Sequence, residues 1–255
     1  MITSTSNGKI KHVAELVSSG RSRRLEGLYV IEGQRMFSET PVKRIAECYV
    51  TEAFASANTI PEGISYEVVS DQVFKKMSDT KSPQGVLCVV KMNNLSVHDF
   101  LKSHTTGRLK LLVLENIQDP GNLGTMIRTC EAAGFDGIIA NEGTVDVYNP
   151  KVIRSTMGAI YRVPIMYTDD LIGTMETVSS MGVHICAAHL KGKSEYTDAD
   201  YGDRTAVLIG NEGNGLSDEI SSKSDILVKI PMEGKVESLN AAVAAALLMY
   251  EVKKY

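Results

Sequence analysis

The chain has no apolar run long enough to span a bilayer, which takes roughly 20 residues, and no basic-then-apolar stretch at its N-terminus. Neither a membrane protein nor an exported one is expected. Cys48, Cys88, Cys130 and Cys186 lie far apart in unrelated segments, and no CxxC pair exists. That excludes a zinc knuckle and a disulfide framework. His184 and His189 are five apart, which puts them on opposite faces of a strand and makes a poor metal pair. The other histidines are scattered, and no Ser/His/Asp arrangement has local support. These absences point to a reduced, cytoplasmic protein with no metal. An excess of positive charge is missing too. The formal net charge of −4 argues against a chain that coats nucleic acid all over, while local basic patches can still engage phosphates. Internal repeats and low-complexity segments are absent.

What is present is an ordinary globular composition, with 43% apolar and 23% charged residues, so a buried core is affordable. A length of 255 residues suggests one large or two modest domains, and the rhythm of the chain favours two. Up to Asn93 short elements alternate. The pattern predicts strands at Leu28–Ile31, Arg44–Val50, Tyr66–Val69 and Gly85–Lys91, and helices at Ile10–Ser18, Gln34–Ser38, Glu52–Ala57 and Asp71–Met77. Asn93-Asn94 opens a polar stretch read as a linker, dividing a small α/β domain (1–93) from a larger one (94–255). From Leu109 onward strands near Leu111–Leu114, Gly137–Ala140, Val163–Met166, Val183–Ala187, Ala206–Ile209 and Ile226–Ile230 alternate with helices. Such alternation predicts a mostly parallel sheet covered on both faces.

Three strand-to-loop units stand out in the second block. Ile230–Tyr250 runs from a strand end through a loop at Gly234 and the polar group Glu237-Ser238-Leu239-Asn240 into an alanine-rich helix. From Ala241 to Tyr250 that helix is apolar on every side, which predicts burial on several faces. Leu111–Gly134 is strand, polar loop with Pro120 and Gly121, then helix. In that helix Leu123, Met126, Ile127, Cys130 and Ala133 form an apolar stripe, and Arg128 lies off it. Asn122 and Arg128 both read as near the helix start, Asn122 as a capping residue and Arg128 as either a surface ion pair or a functional cation. Ala206–Ser217 is a strand followed by Gly210-Asn211-Glu212-Gly213-Asn214-Gly215. No GK[ST] follows, and GxGxxG is not met, so this is not a phosphate loop; alone it reads as a tight turn whose glycines admit close approach of a ligand. Polar residues at three strand ends place a site at the carboxyl edge of the sheet. In the first block, Arg21, Arg23 and Arg24 form a basic cluster, read as either a solvated face or an RNA phosphate contact, for which the guanidinium fork is suited.

Taken together, Asn116–Gly124 with Arg128, then Gly210–Leu216, then Ile230-Pro231-Met232 with Glu237–Asn240 resemble, in order and in internal spacing, the three signatures of the SpoU family, the RNA ribose 2′-O-methyltransferases of the SPOUT superfamily. Tyr29-Val30-Ile31-Glu32-Gly33 and Ser82-Pro83-Gln84-Gly85-Val86 are similar to the ribosomal-protein-like substrate-binding domain that many members carry. The resemblance implies an α/β SPOUT domain ending in a trefoil knot, which general folding rules would argue against, and a homodimer with its site at the subunit interface. It implies S-adenosylmethionine as methyl donor, held by backbone at Gly210, Ile230 and Leu239, with Leu208 and Met232 beside them. It also implies catalytic positions at Arg128, Asn122, Glu212, Ser238 and Asn240, with ribosomal RNA as the favoured substrate because of the separate N-terminal domain, and Arg21, Arg23 and Arg24 as RNA contacts. Arg128 is then either a true base or, as we favour because a guanidinium is normally always charged, a stabiliser of the developing alkoxide. A transfer RNA substrate, a non-catalytic RNA-binding relative, and an unrelated nucleotide-binding α/β enzyme are the alternatives; the last is weakened by the missing phosphate motif.

Overall fold

Short polar side chains start nearly every helix, and that sets the element boundaries. The structure, a computed structural model, describes Met1–Tyr255. In chain order its elements are α1 (Gly8–Ser18), α2 (Gly20–Glu26), β1 (Leu28–Glu32), α3 (Gln34–Glu39), β2 (Ile45–Thr51), α4 (Glu52–Ala57), β3 (Glu67–Val69), α5 (Asp71–Met77), β4 (Val86–Lys91), α6 (Val97–Lys102) and β5 (Leu109–Leu114). There follow α7 (Pro120–Ala133), β6 (Gly137–Asn141), α8 (Pro150–Thr156), β7 (Ile165–Thr168), α9 (Leu171–Ser180), β8 (His184–Ala188), β9 (Ser194–Glu195), β10 (Arg204–Ile209), α10 (Asp218–Ser221), β11 (Ile226–Lys229) and α11 (Ala241–Val252). Asn7, Thr51, Ser70, Ser96, Asp119 and Asn240 each accept a backbone N–H of the helix they precede.

The chain forms two units: Met1–Asn94 with Asp146–Tyr161, and Leu95–Val145 with Arg162–Tyr255. The first has a four-stranded sheet in the order β1-β4-β2-β3, in which only β2 and β3 run parallel. Ile10, Val13 and Leu16 of α1 and Val73, Phe74 and Met77 of α5 close one face over Val30, Tyr49, Leu87 and Val89. The sequence suggests a single cut after Asn93; the structure adds Asp146–Tyr161 to this unit. Long-range contacts explain why. Asp146 accepts from the Arg23 guanidinium, Tyr148 lies 4.6 Å from the Tyr29 ring, and the Tyr161 hydroxyl bonds Thr40 Oγ1 at 2.6 Å.

The second unit is built on a seven-stranded sheet in the order β7-β6-β5-β10-β8-β11-β9, with every pair parallel. Because side chains alternate along a strand, Leu111, Val113, Ile139, Ile185 and Leu208 face one core with Phe100, Met175, Val178 and Ile220. On the other side α7 and α11 pack together, with Cys130 Sγ 3.5 Å from Met249 Sδ. The last helix leaves from the β11 side of the sheet and returns to α7 and β10. Its far end is tied down by Lys110, a fully buried lysine whose ammonium donates to Val252 O and Tyr255 O, both at 2.6 Å.

Two expectations need correction. The alanine-rich helix is not buried all round within this chain. Ala242, Ala245, Leu248, Met249 and Val252 are buried, whereas Val243 and Tyr250 are 48% and 47% exposed; one chain supplies a cover for only one side. The Arg21–Arg24 run is not a single basic face either, because it is wound into α2 and its members point differently.

Candidate active site

The site is built by the loops that follow β5, β10 and β11, all at the carboxyl edge of the parallel sheet. After β10 the chain turns back on itself at once. Asn211 and Gly215 pair in both directions, at 3.0 and 2.9 Å, and Asn211 Oδ1 accepts the backbone N–H of Gly213 and of Asn214 at 3.0 Å. Gly210 sits in the neck of this loop, where a Cβ would lie 2.2 Å from the Gly215 carbonyl carbon, so no side chain fits. After β11, Ile230–Asn240 forms the second wall, ending where Asn240 Oδ1 caps α11 through the N–H of Ala242 at 2.9 Å.

Between these loops is a cavity of about 400 Å³ lined by Gly210, Ile230, Met232, Ser238 and Leu239, and closed on a further side by His189 and Lys191. Four of the five expected cofactor positions line it. Leu208 does not; it is fully buried in β10, facing the core. The strand's alternation explains the miss, since Ile209 rather than Leu208 reaches the cavity.

Glu212 joins the loops. Its Oε1 accepts from Asp119 N and Asn122 Nδ2, and its Oε2 from Gln118 N, each at 3.0 Å. Asn122 Oδ1 in turn accepts from Asn240 Nδ2 at 2.9 Å. One unbroken line, Asn240–Asn122–Glu212, therefore ties all three expected motifs together. Partial burial raises the Glu212 pKa, but the amide of Asn122 and the backbone N–H groups of Gln118, Asp119 and Glu212 itself outweigh it and hold the carboxyl below its ordinary value. An ionised acid with its oxygens already engaged is a clasp, not a base.

Arg128 stands apart from this line. It is exposed and hydrogen-bonds none of Asn122, Glu212, Ser238 or Asn240 within the chain. It is also the ninth residue of the 14 in α7, roughly 12 Å along the axis from Pro120 at 1.5 Å per residue. The expectation that it lies near the helix start is wrong, because the helix begins at Pro120, directly after the Asp119 cap. Of the proposed RNA contacts, Arg21 and Arg24 are exposed. Arg23 is not available. It is only 3% exposed, donates to Leu16 O and Val17 O, and meets Asp146 Oδ2 through both Nε and a terminal nitrogen at 3.0 and 2.7 Å.

Other working residues had no role read for them in the sequence: Asn116 and Asn211, though inside the motifs, and Asn141 and Glu115, outside them. Asn116 takes φ 56°, Asn141 and Asn211 hydrogen-bond it, and Glu115, nearly buried, accepts Ser217 N at 2.8 Å. The signal available was the density of asparagine after three strand ends, since asparagine tolerates the left-handed region better than other side chains. No group of three or more His, Cys, Asp or Glu side chains is placed to hold a metal, and no helix is long and apolar enough to cross a membrane.

A parallel α/β unit with a ligand-sized cavity between a glycine-necked loop and the approach to the last helix is the layout of a SPOUT-type methyltransferase. Residues 110–250 match the SpoU rRNA Methylase family, and residues 7–88 match the MRM3-like substrate binding domain. The chain is 30% identical over 254 residues to the 23S rRNA (guanosine(2553)-2′-O)-methyltransferase RlmP of Bacillus subtilis, covering 99% of this chain and 98% of that protein. It superposes on an AdoMet-bound rRNA methyltransferase from Sinorhizobium meliloti with a TM-score of 0.86 at 28% identity, over 99% and 97% of the two chains. The SpoU methyltransferase AviRb from Streptomyces viridochromogenes gives a TM-score of 0.85 at 25% identity, over 97% of each. The chain belongs to the SpoU rRNA methylase family.

Proposed function

We infer that the protein transfers a methyl group from S-adenosylmethionine to a ribose 2′-hydroxyl of ribosomal RNA. The observation that carries this reading is the Asn240–Asn122–Glu212 line at the rim of the Gly210 cavity. The cavity fits the donor. Its volume is in the range of small-molecule sites, roughly 300–1,000 Å³, Ile230 and Leu239 offer apolar walls for an adenine, and side-chain-free Gly210 lets a ligand reach the main chain. Gly210, Ile230, Met232 and Leu239 would hold it. When bound, it supplies a methyl on a sulfonium, ready for in-line displacement.

The chain's own groups handle the other partner. A ribose hydroxyl is a weak nucleophile and must lose its proton during transfer. Glu212 is engaged and ionised, so it orients Asn122 rather than accepting that proton. The Arg128 guanidinium meets a flanking phosphate and the developing oxygen charge while the proton leaves to phosphate or water. Ser238, at the cavity rim, and Asn240 orient the hydroxyl and the last loop.

The same reading extends to the assembly. Exposed Val243 and Tyr250, with half-buried Leu247 between them at helical spacing, mark the uncovered side of α11, which supports a homodimer formed through this helix, with Arg128 offered to the site at the interface. The return of α11 to the middle of the sheet supports a C-terminal trefoil knot. Residues 1–93, with exposed Arg21 and Arg24 and joined by Asp146–Tyr161, serve as the RNA-binding part, and the remainder of 94–255 as the catalytic part. Four free, buried cysteines suit a reducing compartment, and we place the protein in the cytoplasm. Ribosomal RNA rather than transfer RNA is the substrate, and guanosine 2553 of 23S rRNA, the position in the name of the Bacillus relative, is the first nucleotide to probe. Calorimetric titration with S-adenosylmethionine tests the donor site: saturable binding by the native chain, lost when the Gly210 neck is filled by Gly210→Val, is the expected result, and no binding by the native chain rejects it.

A further inference from the structure

Asn141 ends β6, two strands away from the glycine-necked loop, and no motif includes it. Its side chain nevertheless clasps Asn116 at two points. Asn116 N donates to Asn141 Oδ1, and Asn141 Nδ2 donates to Asn116 Oδ1, both at 2.9 Å. The clasp is itself braced by Thr144, nearly buried, whose hydroxyl donates to Asn141 Oδ1 at 3.0 Å and accepts Ile117 N at 3.3 Å. It is also closely enclosed: a Cβ on Gly143 would stand 1.9 Å from Asn116 Oδ1.

What the clasp holds is an unusual backbone. Asn116 is one of only two non-glycine residues with positive φ, at 56°, a conformation that L side chains adopt uncommonly. In that conformation its carbonyl accepts Asn211 Nδ2 at 2.8 Å and Gln118 Nε2 at 3.4 Å. Asn211 in turn shapes the loop that necks the cavity, through Gly213 N and Asn214 N. Gln118 and Asp119 present the backbone N–H groups that grip Glu212. One carbonyl thus anchors the loop that carries Asn122 and the loop that carries Glu212.

We propose that Asn141 is a positioning residue for methyl transfer: it fixes Asn116 in the left-handed conformation from which the Asn116 carbonyl registers the two site loops on each other. It touches neither donor nor RNA and acts only through Asn116. If Asn141 is lost, Asn116 relaxes toward ordinary φ, its carbonyl turns away, and Asn211 and Gln118 lose their common anchor. A glycine at 116 takes positive φ without a clasp, so Asn116→Gly makes Asn141 dispensable. That suppression separates the proposal from plain loss of stability, which glycine would worsen.

The proposal rests on the methyl-transfer reading, but its first readout does not. Hydrogen–deuterium exchange is followed in the native chain, Asn141→Ala, Asn116→Gly and the double variant. Losing a two-point clasp of about 1 kcal/mol per hydrogen bond should speed exchange roughly thirtyfold in residues 116–122 and 211–215 of Asn141→Ala, while β5 and β10 keep native rates. The double variant should return to the rates of Asn116→Gly alone. In parallel, S-adenosylmethionine affinity and single-turnover transfer should fall in Asn141→Ala and recover in the double variant. Unchanged loop exchange in Asn141→Ala, or a double variant no better than Asn141→Ala, overturns the proposal. A native chain that shows the exchange pattern but binds no S-adenosylmethionine overturns the functional reading instead and leaves the loop coupling standing.

Discussion

Glu212 is the carboxylate a reader of the sequence would first suspect of acid–base work, and its surroundings give it a different task. Three N–H donors at 3.0 Å occupy it, and they hold its pKa below the ordinary glutamate value against the opposing push of burial. A group with a depressed folded pKa contributes while ionised and loses that contribution only as pH falls through the folded value. S-adenosylmethionine affinity should therefore be flat across neutral pH and weaken only below the usual carboxylate range. Glu212→Gln, which removes the charge and turns an amide NH₂ on some of those donors, should weaken affinity at neutral pH by about tenfold or more, since hydrogen bonds to a charged group contribute roughly 1.5–3 kcal/mol each, and the gap to the native protein should narrow at acid pH. A calorimetric pH series on both proteins checks this; a native profile that breaks near neutral pH would assign the clasp to another group. Arg23 shows the same principle in reverse. Its neighbours Arg21 and Arg24 are exposed, yet Arg23 is enclosed with Asp146. Removing one partner of a buried pair costs roughly 3–5 kcal/mol, so Arg23→Ala should lower the thermal midpoint clearly, while Arg21→Ala leaves it within error. From sequence the three arginines are indistinguishable, because the partner that separates them lies more than a hundred residues away.

At the scale of elements, most of what positions the site could be read in advance. The six expected strands of the second block fall within two residues of their limits, because parallel strands buried on both faces announce themselves as apolar runs; the two-residue edge strand β9, Ser194–Glu195, is too short and polar to do so. Glu52–Ala57 and Asp71–Met77 are helical as expected, each behind a hydroxyl cap. Two things were hidden. Asp146–Tyr161 joins the first unit through Tyr29, Thr40 and Arg23, pairings that local periodicity cannot show. The exposed stripe of α11 was invisible because alanine, leucine and valine look equally buried on every side until the packing partner is known. That stripe gives an oligomer prediction. Tyr250→Glu and Val243→Glu, each placing a charge on the uncovered face, should shift the protein from dimer to monomer in sedimentation velocity at micromolar concentration, and activity should fall with the dimer. A native protein that sediments as an active monomer would remove the helix from the interface.

At the scale of the molecule the account divides labour between two units. The first carries the match to a substrate-binding domain and the exposed arginines of α2; the second carries the cavity and the line of polar residues around it. The double variant Arg21→Ala, Arg24→Ala should weaken RNA binding and reduce its dependence on salt by about one to two units of log–log slope, since each lost phosphate contact on a single strand contributes about 0.7. Donor affinity should not change; an unaltered salt slope would return α2 to an ordinary solvated surface. The central claim, however, is chemical, and one measurement tests it most directly. Purified protein, labelled S-adenosylmethionine and unmethylated 23S rRNA are combined under single-turnover conditions, and the product is mapped for ribose 2′-O-methyl groups, with Arg128→Ala alongside. The account predicts one methyl on a ribose 2′ oxygen, and a loss of about 100- to 1000-fold in Arg128→Ala at unchanged donor affinity, the size of effect expected when a preorganised group meets charge only in the transition state. Arg128→Lys should recover little, because a point charge lacks the guanidinium fork. Methylation of a base, or full-rate transfer by Arg128→Ala, would contradict it.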